Sequence, residues 1–269
     1  MTGTATARQS APVEQPAPAL LEVRGLRRRF GGVAALAGVD LDVRAGTITA
    51  LIGPNGAGKT TLFQCVSGVL RADAGTVRFA GRDITGWRPD RITRAGLVRS
   101  FQIARGIPRL SVLENLLLYA PSPPGEQVGA ALLGLGRARE EAALDQAIEV
   151  ARRLGLLALG NDPADALSGG QKKLLEIGRA LMARPRMIML DEPVAGVNPT
   201  LAEQIAAHLR ALRGEGMTFL VIEHHMDIVA RLCDPVIVMA EGAVLTEGTF
   251  AAVADDARVQ EAYMGRRAR

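Results

Sequence analysis

Residues 53–61 have the sequence Gly53-Pro54-Asn55-Gly56-Ala57-Gly58-Lys59-Thr60-Thr61. The stretch fits the pattern G-x-x-x-x-G-K-S/T, which is informative where a strand precedes it and a helix follows it. Residues 47–52 form a short apolar, β-branched run that predicts a buried strand, and residues 62–66 predict a helix. The segment therefore predicts a strand, a phosphate-binding loop and a helix in that order.

The residue types in this loop suit phosphate chemistry. Glycines let the backbone turn so that successive N–H groups point at phosphate oxygens, beside the positive end of a helix dipole. Lys59 adds a mobile positive charge for the β- and γ-phosphates, Thr60 offers a hydroxyl to Mg²⁺, and Thr61 is placed to help hold the α-phosphate. The loop is thus expected to bind a polyphosphate together with Mg²⁺.

The composition is that of an ordinary α/β protein. The chain has 269 residues, 48% of them hydrophobic, which is enough for one large domain or two small ones. Its net charge is +4, with a pI near 9.6. The 32 basic residues are interspersed with 28 acidic ones, so we interpret the charge as a mildly basic surface and expect no nucleic-acid partner.

Cysteine usage and hydropathy indicate a cytoplasmic setting. Cys65 and Cys233 lie far apart without metal-ligand spacing, which favours reduced thiols over a disulfide framework. We find no signal peptide and no apolar run long enough to span a bilayer, since the run from Val112 to Ala120 is short and contains polar residues. If the protein works at a membrane, another chain must cross it.

The chain divides into segments of different pattern. Residues 1–19 are expected to be a disordered leader without catalytic role, and the folded domain is expected over 20–250 with a tail at 251–269. Alternating runs at 21–23, 39–43 and 75–79 predict an antiparallel sheet, and about 88–165 predict an inserted helical subdomain. Phe30, taken alone, is better explained as a core residue than as a platform for an adenine ring.

Three apolar runs in the second half predict buried parallel strands at 187–190, 218–222 and 235–239, and 243–245 predict a hairpin return. The first run ends at Asp191 and Glu192, and the second ends at Glu223, His224 and His225. Ligands of open parallel sheets gather at the carboxyl ends of strands. The phosphate loop, these acids and these histidines should therefore meet at one edge.

The segment Leu167-Ser168-Gly169-Gly170-Gln171 has the form of a glycine-rich helix N-terminus, a second possible anion site. With the phosphate loop it resembles the ATP-binding-cassette (ABC) ATPases, over roughly residues 20–265. In that family the signature segment, here residues 168–171, closes over the γ-phosphate held by the loop of another subunit. The resemblance implies an α/β P-loop NTPase fold, with a RecA-like parallel-sheet core, an antiparallel β-subdomain and an inserted α-helical subdomain, and with ATP and Mg²⁺ as ligands.

The same resemblance implies roles for individual residues. Asp191 matches the acid that holds Mg²⁺ through water, and Glu192 matches the catalytic base that polarises the attacking water. Gln102 matches the glutamine that reaches the metal and responds to the membrane partner. His224 matches the switch histidine on the γ-phosphate, with His225 as its competitor one position later.

Two further positions gain or lose a role by this resemblance. Phe30 becomes an adenine platform rather than a core residue. Asn198 stands where many cassettes have an aspartate at the dimer seam, which puts its part in communication between sites in question. The implied nucleotide-binding residues are Phe30, Gly53, Pro54, Asn55, Gly56, Ala57, Gly58, Lys59, Thr60 and Thr61.

Several segments are similar to the Liv-type import ATPases for branched-chain amino acids, in particular to the first, longer of their two ATPase chains. These segments lie at 29–32, 112–116, 192–199, 222–226 and 260–265. The resemblance implies a bacterial protein at the cytoplasmic face of the membrane, with a second ATPase subunit, two permease subunits and, indirectly, a periplasmic or extracellular binding protein.

Other functions remain open at this point. Urea-import ATPases share much of the pattern, and an envelope-lipid transport ATPase would also be a single cassette with a separate membrane partner. A soluble cassette acting on DNA or ribosomes is disfavoured because the helical insert and the chain are too short. A permease helix is expected to dock near Gln102, Ile107 and Leu110, unless these residues only pack the helical subdomain internally.

Overall fold

The computed structural model describes residues 19–100, 107–121 and 135–264. The strands are β1 Ala19–Phe30, β2 Val33–Arg44, β3 Ile48–Ile52, β4 Ala74–Phe79, β5 Arg82–Asp83, β6 Leu97–Arg99, β7 Met187–Asp191, β8 Thr218–Ile222, β9 Val236–Ala240 and β10 Ala243–Gly248. The helices are α1 Lys59–Val66, α2 Pro89–Arg94, α3 Val112–Leu117, α4 Leu135–Arg153, α5 Gly169–Met182, α6 Pro199–Gly214, α7 Met226–Leu232, α8 Phe250–Ala254 and α9 Ala257–Met264.

Within these ranges the strands form two sheets. An antiparallel sheet has the order β2-β1-β4-β5, and a larger sheet has the order β10-β9-β3-β8-β7-β6. In the larger sheet only β10 runs antiparallel to its described neighbour. The predicted antiparallel sheet, parallel core and hairpin return are confirmed.

Strands β3, β7, β8 and β9 of the larger sheet are buried on both faces, which explains why they are nearly continuous apolar runs. Alternate residues of β3 point to opposite sides: Ile48, Ala50 and Ile52 belong to one core cluster, and Leu51 belongs to the other. The first cluster contains residues of α3 to α9, and the second contains α1 and the inner face of the antiparallel sheet. The carboxyl ends of the parallel strands thus lie at one edge of the sheet, between these two layers.

The segment predicted as a helical subdomain, about 88–165, is only partly helical. It contains α2, α3 and α4, but β6 lies inside it and pairs in parallel with β7. β6 therefore extends the core sheet, and the limits of the helical subdomain stay a prediction. Of the predicted leader, only Ala19 is among the described residues.

Among the helices in the described part of the chain, none has the length and apolarity that crossing a membrane requires.

Candidate nucleotide-binding site

The predicted phosphate loop connects β3 to α1, at the centre of the larger sheet. Two of its glycines allow close backbone approaches. A Cβ on Gly53 would lie 2.1 Å from the carbonyl oxygen of Met239, and one on Gly58 would lie 2.4 Å from that of Ala35. Both residues also have positive φ, 146° and 99°, so a side chain would be strained at either position.

Lys59 is buried beneath this loop. Its ammonium Nζ donates to the carbonyl oxygens of Gly53 at 2.7 Å and Pro54 at 3.0 Å. Burial lowers the pKa of this ammonium below its ordinary value of 10.5, and the carboxylates of Glu192 and Asp191 oppose that shift. These contacts hold a positive charge under the backbone N–H groups that begin α1, which is the arrangement an anion needs.

The acids predicted for the site lie at the end of β7. The Asp191 side chain is 4% exposed, and its Oδ2 accepts a hydrogen bond from Arg99 Nη2 at 3.2 Å. Glu192 follows with φ of 50°, and its N–H donates to the Ile222 carbonyl at 2.9 Å. A non-glycine residue in this conformation stores on the order of 1–3 kcal/mol, and such strain is concentrated at functional sites.

The two adjacent histidines contact different carboxylates. His224 Nε2 lies 3.4 Å from Glu192 Oε1, with both side chains about one third exposed. His225 Nδ1 lies 3.2 Å from Oε2 of Glu223, which is buried. Only His224 thus faces the acid beside the phosphate loop, which supports the interpretation that favoured it over His225.

The signature segment forms the N-terminus of α5. Ser168 Oγ accepts from the Gln171 N–H, and the Gln171 side chain accepts from the Ser168 N–H, so the two residues form a capping box. Gly170 lies against Leu201, whose Cδ2 would be 2.0 Å from an added Cβ. The N-termini of α5 and α6 border a cavity of about 420 Å³, which is lined by residues 168–170, 196–198, 200, 201 and 204.

Asn198 borders the same cavity and caps α6. Its Oδ1 accepts from the Leu201 N–H at 2.9 Å. An aspartate could accept this bond equally well, so the cap does not explain why asparagine is present.

Phe30 ends β1 and is 47% exposed, with the Arg28 guanidinium 5.0 Å from its ring centre. It is therefore not a core residue, and an exposed ring is what an adenine platform requires. Gln102 lies outside the described residues, so its predicted role stays untested.

The C-terminal helix α9 lies beside the phosphate loop. Burial raises the pKa of the Tyr263 phenol on this helix, and an interaction with the backbone of Gly53 opposes the shift. A cavity of about 580 Å³ separates the loop from α9 and is lined by Pro54, Asn55, Glu241, Arg258 and Glu261 among others. Sequence reasoning gave α9 no part in the site.

The donor set fits the predicted Mg²⁺. Thr60 and Asp191 offer a hydroxyl and a carboxylate, and Mg²⁺ prefers oxygen ligands, with few from protein and the others from phosphates and water. The described residues contain no cluster of three or more metal-ligating His, Cys, Asp or Glu side chains.

Solved structures with the same fold were found. A nucleotide-free ATP-binding cassette from an ABC transporter is 40% identical, covers 93% of this chain and 100% of its own, and superposes with a TM-score of 0.82. Another such cassette, in its ADP conformation, is 37% identical over the same shares of each chain, with a TM-score of 0.81. The fold is therefore that of an ATP-binding cassette.

Sequence comparisons agree. Residues 36–195 match the ABC transporter family, and residues 243–269 match the family described as branched-chain amino acid ATP-binding cassette transporter. A probable branched-chain amino acid transport ATP-binding protein, LivG of Archaeoglobus fulgidus, is 42% identical over 91% of this chain and 95% of its own. The high-affinity protein BraF of Pseudomonas aeruginosa is 39% identical over 91% and 98%. The chain belongs to the ABC transporter family.

Two residues at the site were missed by sequence reasoning: Arg99 and Tyr263. Glu223 was expected at this edge of the sheet, because it directly follows a buried apolar run, but it was given no role. Arg99 and Tyr263 gave no signal, because their partners Asp191 and Gly53 are far away in sequence.

Proposed function

We propose that this chain is the ATP-hydrolysing subunit of an importer for branched-chain amino acids. The observation that carries the hydrolytic part is the pairing of Glu192 and His224 at 3.4 Å, next to a loop that holds a buried lysine. The import part is supported by the names of relatives that are 37–42% identical over 91% of the chain, and by the match at 243–269.

ATP hydrolysis requires little from the protein beyond correct positioning of the reactants and stabilisation of charge. In phosphoryl transfer, negative charge spreads over the phosphoryl oxygens, and fixed positive groups stabilise it. Lys59 and the N–H groups at the start of α1 supply these groups. In this proposal Glu192 orients the attacking water and accepts its proton, and His224 contacts the γ-phosphate. Bound Mg²⁺, held by Thr60, by Gln102 and through water by Asp191, would offset further charge on the phosphates.

The active form would be a dimer with a second ATPase subunit. The signature segment begins α5 and lies beside α6, so residues 168–170 line one open face together with residues 196–198, 200, 201 and 204. A partner's phosphate loop presented to that face would put the N-terminus of α5 against the γ-phosphate. Closing on ATP and opening after hydrolysis would convert the chemistry into motion.

Permease subunits would meet the chain beside the segment that contains Gln102. A groove of about 260 Å³ is lined by Ser100, two positions before Gln102 in the sequence, by Val98, Tyr119, Glu176 and Arg179, and by nine further residues on α2, β6, α5 and the adjoining loops. Asn115 ties the neighbouring segment to α5, because its amide donates to the Leu110 carbonyl and accepts from Arg179. Ile107, on that segment, is 51% exposed.

A charged residue at Ile107 tests this docking site. Ile107→Glu should lower transport while leaving the folded chain and its basal ATPase intact, because the side chain is exposed in the isolated subunit. Leu144→Glu, at a 40% exposed leucine on α4, is the matched control. Unchanged transport by Ile107→Glu, and likewise by a charged residue at Leu110, would mean that these residues only pack the segment.

The cargo is tested by transport. Cells lacking this gene and any redundant importer should lose uptake of labelled leucine, isoleucine and valine, and regain it with the wild-type gene but not with Glu192→Gln. Loss of urea uptake with normal leucine uptake would favour the urea importers instead. Normal uptake of both would point to an envelope-lipid function while leaving the ATPase assignment in place.

The proposed location follows from these partners. A subunit that docks on permeases and meets cytoplasmic ATP would lie at the cytoplasmic face of the membrane, with a binding protein acting on the permeases from the other side.

A further inference from the structure

The buried carboxylate of Glu223 lies between the two loops that carry the proposed catalytic groups. It follows β8 directly and is 1% exposed. Its Oε2 accepts hydrogen bonds from the His224 N–H at 3.1 Å and the His225 N–H at 3.4 Å, and lies 3.2 Å from His225 Nδ1. Its Oε1 accepts from the Val194 N–H at 3.2 Å.

These bonds join segments that are distant in the chain. Val194 belongs to the loop after β7, two residues beyond Glu192 and four before Asn198. His224 belongs to the loop after β8. β7 and β8 are neighbours in the sheet, with Asp191 opposite Ile222, so one carboxylate can reach backbone in both loops.

The chemistry of the bonds requires an acceptor at both oxygens. Each backbone partner is an N–H group, and an ionised carboxylate only accepts. A glutamine of the same shape would present its NH₂ group to an N–H donor at one of the two positions. That bond would be replaced by a donor–donor contact, and one loop would be released.

We propose that Glu223 is a positioning residue, which holds the His224 loop and the Val194 loop together so that His224 faces Glu192. The inference rests on the proposed ATPase function and adds a residue to it. Glu223 touches no phosphate loop residue among the contacts described, so it acts through His224 beside Glu192 and leaves ground-state nucleotide binding mainly to Lys59 and the loop. Its effect should therefore fall on kcat rather than on KM.

The test is a double-mutant cycle measured on the full chain. Glu223→Gln should lower kcat for ATP hydrolysis by about tenfold or more, while KM for ATP changes less than about threefold. In a His224→Ala background, measured by single-turnover release of labelled phosphate, the same change should cost less than about twofold, because the histidine it positions is gone. Glu247→Gln, on β10 and away from the site, should leave both constants unchanged.

A general loss of structure behaves differently. It would lower activity by the same factor with or without His224, and that result would overturn the proposal, as would an unchanged kcat. Should Glu223→Gln not fold, Glu223→Asp keeps the charge but withdraws it by one methylene, and the same cycle with the same criterion decides. If the wild-type chain hydrolysed no ATP, the proposed ATPase function would itself be contradicted. That result differs from the two above, in which the wild-type chain is active and only the role of Glu223 fails.

Discussion

Adjacent histidines at 224 and 225 offer the sharpest test at the scale of single residues. Because His224 lies beside Glu192 and His225 lies beside Glu223, His224→Ala should reduce kcat by about a hundredfold or more, the scale of a positioned acid–base group. His225→Ala removes only one contact to Glu223 and should cost much less. Steady-state ATPase assays of both variants compare them directly, and an equal loss in the two would contradict the assignment.

Substitutions at Glu192 and Lys59 should have different effects, the first on the rate of ATP hydrolysis and the second on the affinity for ATP. Glu192→Gln removes the base but leaves Lys59 and the phosphate loop unchanged, so ATP should still bind while turnover falls at least about a hundredfold, and a closed dimer should accumulate. Lys59→Ala removes a ground-state contact and should weaken nucleotide binding itself. Equilibrium binding of a fluorescent ATP analogue and size-exclusion chromatography distinguish the two. Near-normal hydrolysis by Glu192→Gln would identify the wrong base.

At this scale the sequence predicted residues whose function depends on local pattern. The loop at 53–61 and the acids after β7 could be located because backbone turns and strand ends have local signatures. The partners of these residues could not: that Arg99 pairs with Asp191, or that Glu223 binds Val194, depends on which strands are neighbours in the sheet. Gln102 stays a prediction.

Among the secondary-structure elements, the close pairing of β1 and β4 depends on one glycine. Gly75 has φ of 94°, and an added Cβ would lie 2.5–2.6 Å from backbone atoms of Gly25 and Leu26. Backbone cannot rotate away as a side chain can, so Gly75→Ala should lower the free energy of unfolding by about 2 kcal/mol or more.

A second glycine provides the control. Gly214 ends α6 with open space around it, so Gly214→Ala should be neutral or stabilise by up to about 1 kcal/mol through helix propensity. Urea denaturation followed by circular dichroism measures both variants. Equal stabilities for the two would show that β1 and β4 can move apart without cost.

Element positions were predicted better than element lengths. β1 and β2 are 12 residues each, far longer than the alternating runs at 21–23 and 39–43, because register shifts between them interrupt the period-two pattern without ending the pairing. β6 was missed altogether, since three residues between Gly96 and Ser100 are too few to show a period.

For the whole molecule, thiol ionisation reports on the integrity of the core. Burial raises the pKa of Cys65 from 9.0 to about 11 and that of Cys233 to about 12. The folded state therefore keeps protons that the unfolded chain loses above pH 9, and the free energy of unfolding should fall as pH rises from 9 towards 12. Replacing both cysteines by alanine should flatten that part of the pH dependence.

Alkylation gives an independent measurement. At pH 8 iodoacetamide should modify neither thiol in the native chain within the time that it modifies both in urea, because the thiolate is the reactive form. Rapid labelling of the native chain would mean that the core opens readily around these residues.

Helix α5 is one unbroken rod of 14 residues, about 21 Å long. Its N-terminus carries Ser168 and Gly169, and its C-terminal half supplies Glu176, Arg179 and Ala180 to the wall of the groove proposed for the permease. An α-helix is stiff along its axis, so a force applied at one end displaces the other end and bends the helix little. A permease bound in the groove would therefore move the signature segment at the other end of α5. The contacts of α5 with α3 and α4 would be the pivot of this motion.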